Sequence, residues 1–189
     1  METLEPAGGK LYAHVFENRS TGMRRGLYWA LSIDLEPLVN AGESWDCNIQ
    51  CEWFTWNIKR WTELDGLGLS DLLLSELAES SLYLAEHQPT TLVEALRIRR
   101  RAGSKFDVSL TVVGDIQLPD GQDRFATGIS QTALVDFDGV YVVTDNLFPK
   151  PDTADEAAGV VDQFLRSDDF EPPMRDRFRC VLSPQPSAR

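Results

Sequence analysis

The sharpest pattern in the chain lies at residues 45–53. There Trp45, Cys47, Ile49, Cys51 and Trp53 alternate with Asp46, Asn48, Gln50 and Glu52. A period of two puts the first set on one strand face and the second on the other. The stretch therefore predicts a half-buried antiparallel strand with one face on a core. After Trp53 the phase reverses, because Phe54, Trp56 and Ile58 fall on the formerly polar side. A β-bulge at that point would reconcile the two halves. Residues 10–17 and 26–35 also read as strands, with turn chemistry at 18–22 between them. Residues 105–113 set Phe106, Val108, Leu110 and Val112 against Asp107, Ser109 and Thr111. The run 124–137 then meets Asp138-Gly139 and a short apolar strand at 140–144, which predicts a hairpin with a type I′ turn.

Helical signals are fewer. Residues 70–78 suggest a short helix capped by Ser70. Residues 82–87 and 92–100, separated by Pro89, fit either helix or strand and are read as strands. Thr153 and Glu156 form a capping box, and Ala157, Val160, Val161, Phe164 and Leu165 recur on one helical face. Pro149 and Pro151 set the entry to that helix. The sum is an α+β fold: a mostly antiparallel sheet of about six to eight strands with two or three helices, one at 153–166. A single domain over 10–182 is expected, with flexible ends at 1–9 and 183–189.

The chain of 189 residues is long enough for a core that needs no staples. Its three cysteines are an odd number, which argues against a closed disulfide framework. Cys47 and Cys51 stand roughly 13 Å apart on a strand, beyond disulfide reach. His14, His87 and Cys180 are too distant in sequence to complete a metal site with them. Buried, inert thiols are expected. The first residues are acidic where a signal peptide would be basic. No stretch approaches the ~18 apolar residues of a membrane span. A cytoplasmic location is the expectation.

Charge changes the picture most. Thirty acids against eighteen bases give a formal net charge of −12. Such a surplus repels nucleic acid and anionic membranes and favours a basic partner. It is uneven: Glu63, Asp65, Asp71, Glu76, Glu79, Glu86 and Glu94 occupy 61–96 with no Lys or Arg. Arg97, Arg99, Arg100 and Arg101 then form a basic island, read as an ion-paired or solvated hairpin end.

Motifs for catalysis are weak. Leu134-Val135-Asp136-Phe137-Asp138-Gly139-Val140 resembles the first motif of haloacid-dehalogenase-like phosphatases. That resemblance implies Asp136 as nucleophile and Asp138 as acid/base, with Lys150 and Asp168-Asp169 as further site residues around Mg²⁺. In the family this strand opens a Rossmann-like domain, whereas here only one good helix follows. Asp115, Asp120 and Asp123 flank a turn, where solvated aspartates are usual. Serines lack a Gly-x-Ser-x-Gly setting, and Gly66-Leu67-Gly68 is no phosphate loop. No catalytic residue, metal or cofactor is assigned.

The aromatic residues suggest a surface. Trp45 and Trp53 share the apolar strand face and are expected in the core. Trp56 and Trp61 lie where the pattern breaks, beside acids, and are the candidate anchors of an interface. Glu63, Asp65, Asp71, Glu76 and Glu79 would supply its charge. The whole profile is similar to that of bacterial immunity proteins: small, acidic, α+β and without catalytic motifs. The resemblance implies a cytoplasmic, non-catalytic protein that neutralises a basic, nuclease-like toxin domain. The alternatives are an acidic secretion chaperone or a metal-dependent hydrolase using Asp136 and Asp138.

Overall fold

A computed structural model describes residues 4–40, 42–73, 79–84, 90–114, 129–175 and 179–185. Seven strands run in chain order round a closed barrel: β1 (Pro6–Asn18), β2 (Met23–Asn40), β3 (Glu43–Phe54), β4 (Glu79–Leu84), β5 (Thr90–Ala102), β6 (Lys105–Val113) and β7 (Ile129–Val142). Neighbours are antiparallel except at the seam, where β7 pairs parallel with β1 from Lys10↔Asp136 to Val15↔Val142. Closure removes the free edges that an open sheet would leave to aggregate. Two short strands, β8 (Met174–Arg175) and β9 (Cys180–Leu182), are added outside the ring. β9 pairs with Val140–Val142 of β7, continuing the ladder where β6 has stopped opposite Asp136.

Period-two alternation fills the barrel. Leu11, Ala13 and Val15 of β1, Leu31 and Ile33 of β2, Cys47, Ile49 and Cys51 of β3, and Val108 and Val112 of β6 point inward and are buried. Ser80 and Thr91 are the polar exceptions within. Their hydroxyls lie 2.8 Å apart, and Ser80 Oγ donates to the Thr91 carbonyl at 2.7 Å. An apolar, packed interior with acids, serines and threonines outside is the reverse of a membrane-spanning barrel.

Among the described residues the fold is therefore a β-barrel, 60% strand, with one α-helix; the expected α+β sheet with two or three helices is overturned. That helix, α1 (Ala154–Val161), begins as expected, with Glu156 N–H donating to Thr153 Oγ1 at 3.1 Å. It stops about a turn before residue 166, and the Asp162 carboxylate accepts from Ser167 N–H. The segment expected to start a helix at Ser70 instead forms a 3-10 turn, Leu69–Asp71, after Gly68; residues 74–78 lie outside the described residues. Of the two ambiguous stretches, 82–84 lies in β4 and 92–100 in β5, while 85–87 lie outside the described residues. Of the two end segments, residues 1–3 and 186–189 lie outside the described residues; β1 begins at Pro6, and Gln185 N–H donates to the Asp169 carbonyl at 2.9 Å.

Asp138-Gly139 is no hairpin tip. It lies within β7, where two residues of β1 (Leu11, Tyr12) oppose three of β7 (Phe137 to Gly139). Gly139 has φ 114°, and a Cβ there would run into the Leu182 carbonyl. A bulge and a hairpin turn ask for the same dipeptide, because both use positive φ.

Candidate functional site

The bulge expected after Trp53 falls on Trp53 itself. Leu31 pairs with Cys51 and Trp29 with Phe54, so β3 carries one extra residue there. Trp53 takes φ 66°, the one non-glycine residue at positive φ among the described residues. The extra residue turns Phe54 inward, where it is fully buried, and turns Trp53 outward. Its ring then lies 5.2 Å from His14, 5.4 Å from Phe16 and 5.5 Å from Tyr28. Tyr12 joins this outer cluster against Tyr141 of β7, with centroids 5.5 Å apart.

Register explains the cluster. His14 stands opposite Tyr28 on β2 and opposite Tyr141 on β7, so three strands present rings in one row. Burial pushes the His14 imidazole below its ordinary range, and its buried Nε2 has no hydrogen-bond partner. Burial, then the Glu52 carboxylate, raises the Tyr12 phenol. Burial, then the bond to Asp138, raises that of Tyr141. Arg179 lies over the Tyr141 ring, 4.4 Å from its centroid.

Beside these rings, residues 26–58 contain Asp34, Glu36, Glu43, Asp46 and Glu52 and no Lys or Arg. Asp34, Glu36, Glu43 and Asp46 are exposed and have no ion-pair partner among the described residues. Some carboxylates elsewhere are matched: Lys105 with Asp136 at 3.4 Å, Lys10 with Asp138 at 3.5 Å, and Arg101 with Asp107 at 2.5 Å. Arg19 and Arg25 share Glu17, and Lys150 binds Asp145. Glu5, Glu94, Asp155, Asp168 and Glu171 are likewise exposed without an ion-pair partner among the described residues, so Asp34, Glu36, Glu43 and Asp46 are distinguished by sharing β2 and β3. These two strands pair on to Asn40↔Glu43, past β2's last pairing with β1 at Leu35, and carry Val39 exposed near the tip.

The candidate anchors at the pattern break are not on a surface. Trp56 is 6% exposed and Trp61 fully buried. Trp61 stacks on Phe137 at 5.3 Å, and its indole N–H donates to the Asp169 carbonyl. They plug the end of the barrel where β3 finishes. Trp45 and Trp53, expected in the core, are each only partly buried. Glu63, Asp65 and Asp71 are exposed, but each carboxylate accepts from a backbone N–H: Lys59 at 2.8 Å, Arg100 at 2.9 Å and Gly68 at 2.7 Å. Asp65 thereby ties the strap 61–71 to β5, where Gly66 N–H also donates to the Ile98 carbonyl and Ile98 N–H to that of Leu67. Glu79 enters β4 opposite Leu92. Glu76, with Asp115, Asp120, Asp123 and His87, lies outside the described residues.

The phosphatase-like carboxylates do not converge. Asp136 and Asp138 sit on the outer face of β7 and reach lysines on opposite sides, Lys105 of β6 and Lys10 of β1. Asp169 is held by Arg60, and Lys150 by Asp145. Among the described residues no group of three His, Cys, Asp or Glu side chains could hold a metal ion. Among them, too, no helix is long and apolar enough to cross a membrane.

The aromatic face was missed in the sequence although a signal was present. Tyr12, His14 and Phe16 alternate with Leu11, Ala13 and Val15, so β1 is apolar on both phases, as a strand covered on both sides must be. Counting charge strand by strand would likewise have separated 26–58. No protein family, curated protein or solved structure matches the chain.

Proposed function

We propose that this is a non-catalytic cytoplasmic protein that binds a basic partner protein, in the manner of an immunity protein neutralising a toxin domain. The observation that carries the reading is the run 26–58 on β2 and β3, with five acids and no Lys or Arg, next to a fixed aromatic cluster. Asp34, Glu36, Glu43 and Asp46 are exposed with no ion-pair partner among the described residues, so these two strands present a local field of one sign. A field of one sign steers an oppositely charged protein and raises its association rate. Rigid rings beside it supply contact area at low entropic cost. A nuclease-like domain is a suitable target because a cleft that holds phosphates is positive. The contact surface moves accordingly from residues 56–79 to the outer face of β2 and β3.

Retention from a lysate of the source cells, on immobilised wild-type chain and on the Asp34→Lys/Glu36→Lys/Asp46→Lys variant, tests this. A basic protein held by the first and lost from the second is expected, with an association rate that falls steeply with salt. Equal retention by both, or retention only of acidic proteins, would reject the reading.

A further inference from the structure

We infer that Trp53 and His14 form an acid-sensitive switch, in which uptake of a proton by the imidazole drives the Trp53 ring off the outer face while the barrel stays closed. The switch does not depend on the identity of the partner. Trp53 covers His14, with ring centroids 5.2 Å apart. It does so at φ 66°, a conformation that a bulky side chain adopts only at a cost. It is also the extra residue of the bulge, since Trp29↔Phe54 and Leu31↔Cys51 close round it. Among the described residues, its neighbour Glu52 is the last of β3 to pair with β4. The Trp53 backbone can therefore return to negative φ without breaking a ladder pair, and Phe54 keeps its place in the core. The strain released offsets part of the packing that is lost.

A proton on His14 has nothing to bond to inside the cluster. Nε2 is buried and without a partner, so a neutral ring protonated on Nδ1 is accommodated, whereas the imidazolium brings a second N–H to that spot. Round the ring stand Tyr12 and Phe16 on its own strand, Tyr28 on β2, Trp53 on β3 and, opposite on β7, Tyr141. Ring faces attract a cation but offer no acceptor for its N–H. The Tyr28 hydroxyl donates to the Arg24 carbonyl, and that of Tyr141 to Asp138. The charged and titratable groups at the margin act elsewhere. Glu52 and Tyr83 bear on Tyr12, Asp138 on Lys10 and Tyr141, and Arg179 on Tyr141, while Glu17 holds Arg19 and Arg25. Burial alone accordingly shifts the His14 imidazole, downward. Moving Trp53 is the smallest change that brings water to Nε2, because Tyr12, Phe16 and Tyr28 all stand in the β1–β2 ladder.

Indole and imidazole resonances of the full chain carrying His87→Gln, followed between about pH 7.5 and 4.5, provide the test. His14 is expected to titrate below its ordinary value of 6.5, and the Trp53 indole to move with the same midpoint. The other four tryptophan indoles and the far-ultraviolet spectrum should stay constant. Trp53→Gly suits positive φ and removes the ring, so His14 should titrate higher in that variant, towards 6.5. Trp53→Asn, also tolerant of positive φ, replaces it should the glycine variant fail to fold. In His14→Phe the Trp53 indole should not respond to pH. A Trp53 indole that stays still while His14 titrates would overturn the switch. So would an unchanged His14 midpoint in the Trp53 variants, or all five indoles moving together.

Discussion

The Arg60 guanidinium grips the Asp169 carboxylate at two points, with Nε donating to Oδ2 at 2.9 Å and Nη2 to Oδ1. Asp169 is 3% exposed, so this pair joins the plug that follows β3 to the segment that follows α1. Arg166 N–H donates to the Lys59 carbonyl and Trp61 Nε1 to that of Asp169, which makes one latch of five residues. Asp169→Asn keeps the volume and removes the charge that the guanidinium faces. The expected outcome is a lower melting temperature and a weaker near-ultraviolet signal from Trp61, with the far-ultraviolet spectrum of the barrel unchanged. An unaltered melting temperature would mean that the backbone bonds alone hold the latch.

Gly139 and Gly159 should respond oppositely to alanine. Gly139 has φ 114° and no room beside the Leu182 carbonyl, so a Cβ meets both backbone strain and a clash. Gly139→Ala is expected to lower the unfolding free energy by roughly 2–4 kcal/mol. Gly159 lies in α1 with nothing within 4 Å of where a Cβ would stand. Gly159→Ala should raise stability by about 0.5–1 kcal/mol, the helix-propensity difference. Urea unfolding of both variants measures the contrast.

Strand phase was readable wherever one face is wet. The alternations at 45–53 and 105–113 are β3 and β6, and the phase break at Trp53 is a bulge. Closure was not readable, because it depends on β7 lying beside β1 across the whole chain, a pairing without local signature. Asp138-Gly139 misled for a physical reason, since bulge and turn share the need for positive φ. Trp53 and Trp56 illustrate the limit for the site. One inserted residue exchanges inside for outside, so tryptophans counted by phase from Trp45 are assigned to the wrong faces.

Thiol reactivity follows from the barrel interior. Cys47, Cys51 and Cys180 are buried thiols in no disulfide, and burial pushes the Cys51 thiol up to about 12. A thiolate is the reacting species, so at about pH 8 the native protein should react negligibly with a disulfide reagent. In denaturant the three thiols of the sequence should all be titrated. Fast native labelling would show that the barrel opens between β3 and its neighbours.

His14 sets an acid-side dependence of stability. Its ring is enclosed by Tyr12, Phe16, Tyr28 and Trp53, none of them charged, and burial holds its imidazole below the unfolded value. Between the folded and unfolded values the unfolded chain binds more protons, so stability rises with pH in that window. The contribution is fully present above the unfolded value near 6.5 and is lost as pH falls towards the folded one. His14→Phe keeps an aromatic ring in place and removes the proton. Between about pH 7.5 and 5.5 the urea midpoint of wild type should fall further than that of His14→Phe. Identical slopes for the two proteins would show that protonation of His14 is accommodated, with the cluster reopening to give Nε2 an acceptor.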